Sequence, residues 1–225
     1  MNTNAVNEFT SYIEKQILSS VSDIKSLEDK SRKHVQKLVY TNLVDRFDVM
    51  IDRSILDNAR SDFIIDTITP SMNESVSESY LLRLLMNTDT VQDAIDDRLQ
   101  SAVRNTVLRK RHSQKLEFLL KLFDKLEYTR AKPQVQPGSG SIVASAKKTS
   151  VNVPHSVCGY SDWLYARRNA IVHGAGRSSF LSNDKKQLKK LYSYNCPQRF
   201  RIAIGAITSS VNFYRGVADI IEGRA

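Results

Sequence analysis

Ser161-Asp-Trp-Leu-Tyr-Ala-Arg-Arg-Asn-Ala-Ile-Val-His173-Gly174 reads as one short helix with both ends marked. Ser161 or Asp162 is suited to the start, where a short side-chain oxygen accepts from a free backbone N–H of the first turn. Gly174 stands where a left-handed residue closes a helix at little cost. Leu164 and Ile171 recur at seven and share a face, flanked by Trp163 and Ala170. At roughly 100° per residue, Arg168 falls only about 40° from Leu164, close to the middle of the apolar stripe. Asn169 and His173 are four apart and lie together on another side. An arginine on an apolar face needs a carboxylate, a carbonyl or a phosphate. The plain alternative is that Arg168 pairs with a buried acid and His173 bonds the helix end.

Outward from this helix the chain reads as all-α. Phe9, Ile13, Ile17, Val21 and Ile24 step by three and four, so 1–28 is expected to be an amphipathic helix. A second helix is expected from about Ser31 to Ile51, with Val35, Leu38, Leu43, Phe47 and Met50 on its apolar side and Asp45 and Asp48 beside it. A third covers 54–68 and stops at Pro70, because proline disfavours helix in the residue before it. A fourth begins near Ser75, and its Tyr80-Leu-Leu-Arg-Leu-Leu-Met86 run is apolar nearly all round, which suggests deep burial. From Thr90 to about Tyr128 there is neither Gly nor Pro, so the stretch is one long helix or two.

Residues 130–157 change character, with Pro133, Pro137, Gly138-Ser-Gly-Ser141 and Lys147-Lys148. This composition predicts a flexible loop inserted between helices of a single domain spanning 1–225. Beyond Gly174 come a short basic helix over Asp184–Tyr192, a break at Asn195-Cys196-Pro197, and a last helix from about Gln198 to Ile221. That last helix is expected beside the Arg168 helix.

The 225 residues are 41% hydrophobic, enough for a packed core, and only 8 Gly and 5 Pro favour long helices over many short strands. The net charge of +9 favours a polyanionic partner such as nucleic acid. The densest basic stretch carries Arg104, Arg109, Lys110 and Arg111, which with Arg167 are the candidate nucleic-acid contacts; a solvated helix face is the competing reading. Cys158 and Cys196 form neither a disulfide framework nor a zinc site, and His34, His112 and His155 stand apart, each read as surface or structural. No metal or cofactor is called for. With no secretory signal and no spanning apolar run, the chain is expected to be cytoplasmic, away from the membrane.

The segment Arg168-Asn169-Ala170-Ile171-Val172-His173-Gly174 resembles the RNxxxH signature of the HEPN superfamily (higher eukaryotes and prokaryotes nucleotide-binding domains). Trp163, Leu164 and the Ile171-Val172 pair are also similar to that family, most of all to small prokaryotic members from toxin and antiviral defence systems. The likeness is specific over that helix and a loose helical pattern elsewhere. It implies a four-helix core, here with extra N-terminal helices, and a homodimer whose two RNxxxH helices form a composite cleft. It implies metal-independent RNA cleavage in which His173 moves the proton, Arg168 stabilises charge and Asn169 assists. In resembling families an early helix carries an acid near the functional arginine, and Asp45 is the candidate partner of Arg168. An antitoxin or another defence-system protein is an expected partner.

The chemistry suits the residues. RNA supplies its own nucleophile, the 2′-hydroxyl, so cleavage needs a base, an acid and positive charge on the phosphorane-like transition state. Histidine titrates near neutrality, and arginine offers a charged planar fork to phosphate. Some HEPN proteins bind without cutting, so a non-catalytic nucleic-acid or nucleotide-binding module is the alternative. A purely helical interaction protein is a third reading.

Overall fold

The computed structural model describes residues 1–71, 77–86, 88–129, 131–147, 153–174, 176–177 and 182–224. Its helices are α1 (Asn4–Tyr12), α2 (Leu18–Ile24), α3 (Asp29–Asp57), α4 (Asp62–Ile68), α5 (Glu78–Met86), α6 (Thr88–Thr106), α7 (His112–Leu122), α8 (Val157–Gly174), α9 (Ser182–Tyr192) and α10 (Ile204–Glu222). Among the described residues the only β pairings are isolated bridges, Val135 with Ile142 and Arg177 with Arg199. The protein is therefore an all-α helical bundle. No helix of the described residues is long and apolar enough to cross a membrane.

The bundle is built around α3, against which α1, α7, α8 and α10 all pack. Tyr40, Leu43, Val44, Phe47, Met50, Ile51 and Ile55 bury one side of α3 completely or nearly so. Those positions repeat at three and four, which is why so charged a helix sits in the middle of the molecule. Phe47 stacks on Tyr214 of α10 at 4.1 Å, and Phe9 of α1 closes the aromatic group. Tyr40 donates its hydroxyl to the Leu164 carbonyl of α8 at 2.9 Å, so its polar end is satisfied where its ring is buried. Each fully buried aromatic or aliphatic side chain of this kind is worth roughly 1.5–3 kcal/mol of transfer free energy.

Several boundaries differ from the sequence expectation, each for a visible reason. The first helical stretch, 1–28, holds a π-helical turn at Ile13–Ile17 between α1 and α2, which places both isoleucines in the core. The break expected after Ile51 is absent; α3 runs to Asp57 because Ser54 and Ile55 stay on the buried face. The chain then turns, and Ser61 caps α4 by accepting from the Ile64 N–H. The Thr90–Tyr128 stretch is two helices, α6 and α7, joined through 107–111. The deep burial expected of the Tyr80–Met86 run does not hold where it is described: Leu82 and Met86 are exposed.

The Pro- and Gly-rich segment is a correction of more consequence. The described residues of 130–157 pack rather than hang free. Val135 is fully buried, and the backbone N–H groups of Gln134 and Val135 both reach the His155 carbonyl at 2.8 Å. Ser209 and Asn212 of α10 bind the Gly138 and Ser139 carbonyls at 2.9 Å. Gly140 adopts φ +76°, and a Cβ there would sit 1.8 Å from the Ser209 carbonyl oxygen. Only glycine allows this turn to lie so close to α10.

The last helix also begins later than expected. Residues 199–203 are not helical and α10 starts at Ile204. The Phe200 N–H donates to the Gly176 carbonyl at 2.8 Å, which ties this extended segment to the turn that follows α8.

Candidate functional site

Ser161 and Asp162 do not cap the helix that carries Arg168. α8 starts four residues earlier, at Val157, and both side chains lie inside it and are buried. Gly174 is its last helical residue, and the left-handed position is Gly176, at φ +90°. The Gly176 N–H returns to the Ala170 carbonyl at 2.8 Å and closes the helix end.

Arg168, Asn169 and His173 lie on the outer half of α8. Asp45 of α3 places Oδ1 2.6 Å from Arg168 Nε, so the structure brings together the pair the sequence suggested. The contact is an ion pair without the alignment of a hydrogen bond. The Arg168 guanidinium also donates from Nη1 to Asn169 Oδ1 at 3.1 Å. Asn169 in turn donates from Nδ2 to Asp184 Oδ2 of α9, also at 3.1 Å. The ring of His173 is exposed, next to an equally open Val172. Asn169 lies between Arg168 and His173 around the helix, about 100° from one and about 40° from the other. The bond from Arg168 to Asn169 holds one edge of the guanidinium at the side chain that neighbours His173 around the helix.

The candidate nucleic-acid contacts divide. Arg104, Arg109 and Lys110 are exposed. Arg167 does not fit the role expected of it: it is 8% exposed, its guanidinium lies over Tyr40 and Trp163, and Nη2 donates to the Arg201 carbonyl at 2.6 Å. Closed in by two rings and a carbonyl, it is a packing cation. Arg111, partly exposed, is engaged by the protein itself, with Nη2 2.5 Å from Asp162 Oδ2 and Nη1 3.1 Å from Gln187. It fastens α7 to α8 and α9.

Sequence reasoning left His112 as an isolated histidine, yet it is the hub of the buried polar network. Nδ1 is 2.8 Å from Asp48 Oδ1, Nε2 is 2.7 Å from Ser161 Oγ, and the ring stacks on Tyr165 at 4.7 Å. Lys115, one turn further along α7, reaches Asp48 at 2.8 Å and Asp52 at 2.6 Å. Burial pushes the Asp48 carboxyl up, but the bonds and charges of His112 and Lys115 outweigh it and bring it down to about 2. Burial leaves Asp52 raised in spite of Lys115, helped by the charge of Asp48.

Ser161, His112 and Asp48 stand in the order of a hydrolase triad, but the surroundings exclude that use. Ser161 is 0% exposed in mid-helix, where the neighbouring backbone N–H groups are spent on the helix and no oxyanion pocket forms. The network holds α3, α7 and α8 in register. No group of three or more His, Cys, Asp or Glu side chains placed to hold a metal lies among the described residues.

A polar cleft of about 410 Å³ opens beside this network, lined by Asp52, Lys110, Arg111, Tyr165 and Asp184 among others. Asp184 thus links the cleft to Asn169. No family model matches the chain, and no curated protein or solved structure matches it either.

Proposed function

We propose that the protein is a metal-independent endoribonuclease of the HEPN type. The observation that carries this reading is the Arg168–Asn169 bond, which holds one edge of a guanidinium anchored on Asp45 at the side of α8 next to the open His173. A phosphate over that side would meet a charged fork and an imidazole together. Deprotonation of the 2′-hydroxyl and protonation of the departing 5′-oxygen need two proton-transfer groups, and one exposed histidine supplies one. A two-fold dimer would supply the second from the other copy, and the open Val172–His173 end of α8 leaves room for it. The setting that goes with the family resemblance is a cytoplasmic toxin or anti-phage effector restrained by an antitoxin or another defence protein.

The test is incubation of wild-type protein and His173→Ala with total cellular RNA in EDTA, followed by assay for 2′,3′-cyclic phosphate ends. Wild type is expected to form them, and His173→Ala to be slower by about 10²–10⁴, the usual worth of a general acid–base group. Equal rates for the two proteins would remove His173 from the mechanism.

One observation favours the second reading, a binding module without turnover. Arg168 and Asn169 already engage the carboxylates of Asp45 and Asp184. Salt-sensitive RNA affinity with no cyclic phosphate from either protein would select it.

A further inference from the structure

A second groove, of about 510 Å³, lies between the start of α3 and the extended segment before α10. Arg32, Lys33, Lys37, Arg199 and Arg201 line it, and Asp29 is the one acid in that lining. Asp29 is itself spent on Arg32 at 3.2 Å and Lys33 at 2.5 Å. Phe200, Ile202 and Ala203 are the apolar part of the lining, Ala203 open and the other two showing only an edge.

The sequence explains the arrangement. In an extended segment successive side chains point to opposite faces. Arg199, Arg201 and Ala203 are exposed, while Phe200 and Ile202 are buried, so the alternation anchors the segment and turns both arginines outward. The anchoring continues through the backbone. Phe200 is bonded to Gly176, Arg177 bridges Arg199, and the Arg201 carbonyl accepts from Arg167 of α8. Gly176 follows His173 by three residues, at most about 11 Å of chain. The wall carrying Arg199 and Arg201 is therefore fastened directly to the turn beyond the candidate catalytic histidine.

We infer that this groove holds the phosphate backbone of a single-stranded RNA and leads it to His173. Arg32 and Lys33 share Asp29, so the five cations carry a net charge of +4 to set against successive phosphates, and the edges of Phe200 and Ile202 with the open Ala203 suit unpaired bases, which a duplex hides. The identity of the strand as a substrate rests on the ribonuclease reading; the binding itself does not. The basic groove differs from the 104–111 stretch, which composition alone had marked.

Binding is measured by fluorescence anisotropy of a 5′-labelled, mixed-sequence single-stranded RNA in EDTA, with His173→Ala protein so that the strand stays intact. For single strands the slope of log K against log salt is about −0.7 per neutralised phosphate. Four net contacts predict about a 50-fold loss of affinity between roughly 50 and 200 mM salt. Removing two through Arg199→Ala and Arg201→Ala predicts only about a 7-fold loss over the same range, from weaker binding at low salt. Both side chains are exposed, so the fold is expected to persist; Lys37→Ala on α3 gives an independent second probe. Lys15→Ala, an exposed cation outside the groove, is expected to leave the slope unchanged. An unchanged slope in both groove variants, or equal affinity for duplex DNA, would overturn the proposal. Groove-dependent binding without cleavage by wild type would sink the nuclease reading alone. Cleavage by wild type with groove variants of undiminished affinity would sink the groove alone.

Discussion

Lys115→Met tests whether the buried charges hold the bundle in register. Lys115 keeps only 7% of its side chain exposed and meets Asp48 at 2.8 Å and Asp52 at 2.6 Å. Removing one partner of a fully buried pair costs about 3–5 kcal/mol, because the remaining charge is stranded. Here the carboxylates keep 26% and 34% of their side chains open to water, which lowers the expectation to about 2–3 kcal/mol. In urea unfolding at pH 7 that is a fall in midpoint of roughly 1 M. The decisive measurement is the double variant with Asp52→Asn. Once Lys115 is gone, Asp52 is a destabilising charge beside Asp48, so its neutralisation should recover about 1 kcal/mol or more. The sign with pH follows from the same geometry. A carboxyl raised in the folded state destabilises at high pH, and the penalty fades as pH falls through its folded value. Asp52 is already raised by burial and by Asp48, and loss of Lys115 raises it further. The deficit of Lys115→Met should therefore narrow as pH falls from 7 through the folded value of Asp52. A double variant less stable than either single one, or a deficit that widens on acidification, would refute this account of the network.

Two further outcomes follow from the fold. Gly140→Ala, at φ +76° and with a Cβ aimed at the Ser209 carbonyl, should lower stability by about 2–4 kcal/mol in thermal unfolding. Gly138→Ala meets nothing within 4 Å and serves as the near-neutral control; equal melting temperatures for the two would undo the docking of this segment on α10. Burial pushes the Cys158 thiol up to about 12 and the Cys196 thiol up to about 11, so both should react with an aromatic disulfide at pH 8 some 10²–10³ times more slowly in the folded protein than in urea, Cys158 the slower. Modification of folded Cys158 at the rate of free cysteine would contradict its placement.

Periodicity made the helices legible because each buries a stripe, but the α3 stripe was read only in part: Leu43, Phe47 and Met50 are buried as expected, whereas Leu38 is exposed and Tyr40, Val44, Ile51 and Ile55 complete the face. It gave the boundaries less well, since Ser54 looks polar but is accommodated on the buried face at the end of that stripe. Local rules misread Ser161 and Asp162. Both are good caps in isolation, and their real partners, His112 and the Ser113 N–H, are 49 positions away in sequence. His112 looked solitary for the same reason, with Asp48 64 positions away. Composition misread the described part of 130–157 as free chain, because Pro and Gly serve a tight, docked turn as well as a loose one. The Arg168–Asp45 pair came from the family resemblance, which implied an acid on an early helix; periodicity alone did not separate Asp45 from Asp48.

The two adjacent arginines of α8 show how a structural cation differs from one available for chemistry. Arg167 is enclosed by Tyr40 and Trp163 and its guanidinium ends on a carbonyl. It would have to leave two rings and a carbonyl to meet a phosphate. Arg168 is held on different terms. Asp45 takes one edge of the guanidinium, Asn169 takes Nη1, and 22% of the side chain stays open. A carboxylate near Nε and an amide at Nη1 hold the guanidinium from two sides without enclosing it. Asp45 is itself 43% exposed, so the pair contributes little to stability and much to orientation. An arginine serving only the fold would gain from the enclosure that Arg167 has; the openness of Arg168, beside an exposed His173, is what favours a role at the surface of α8.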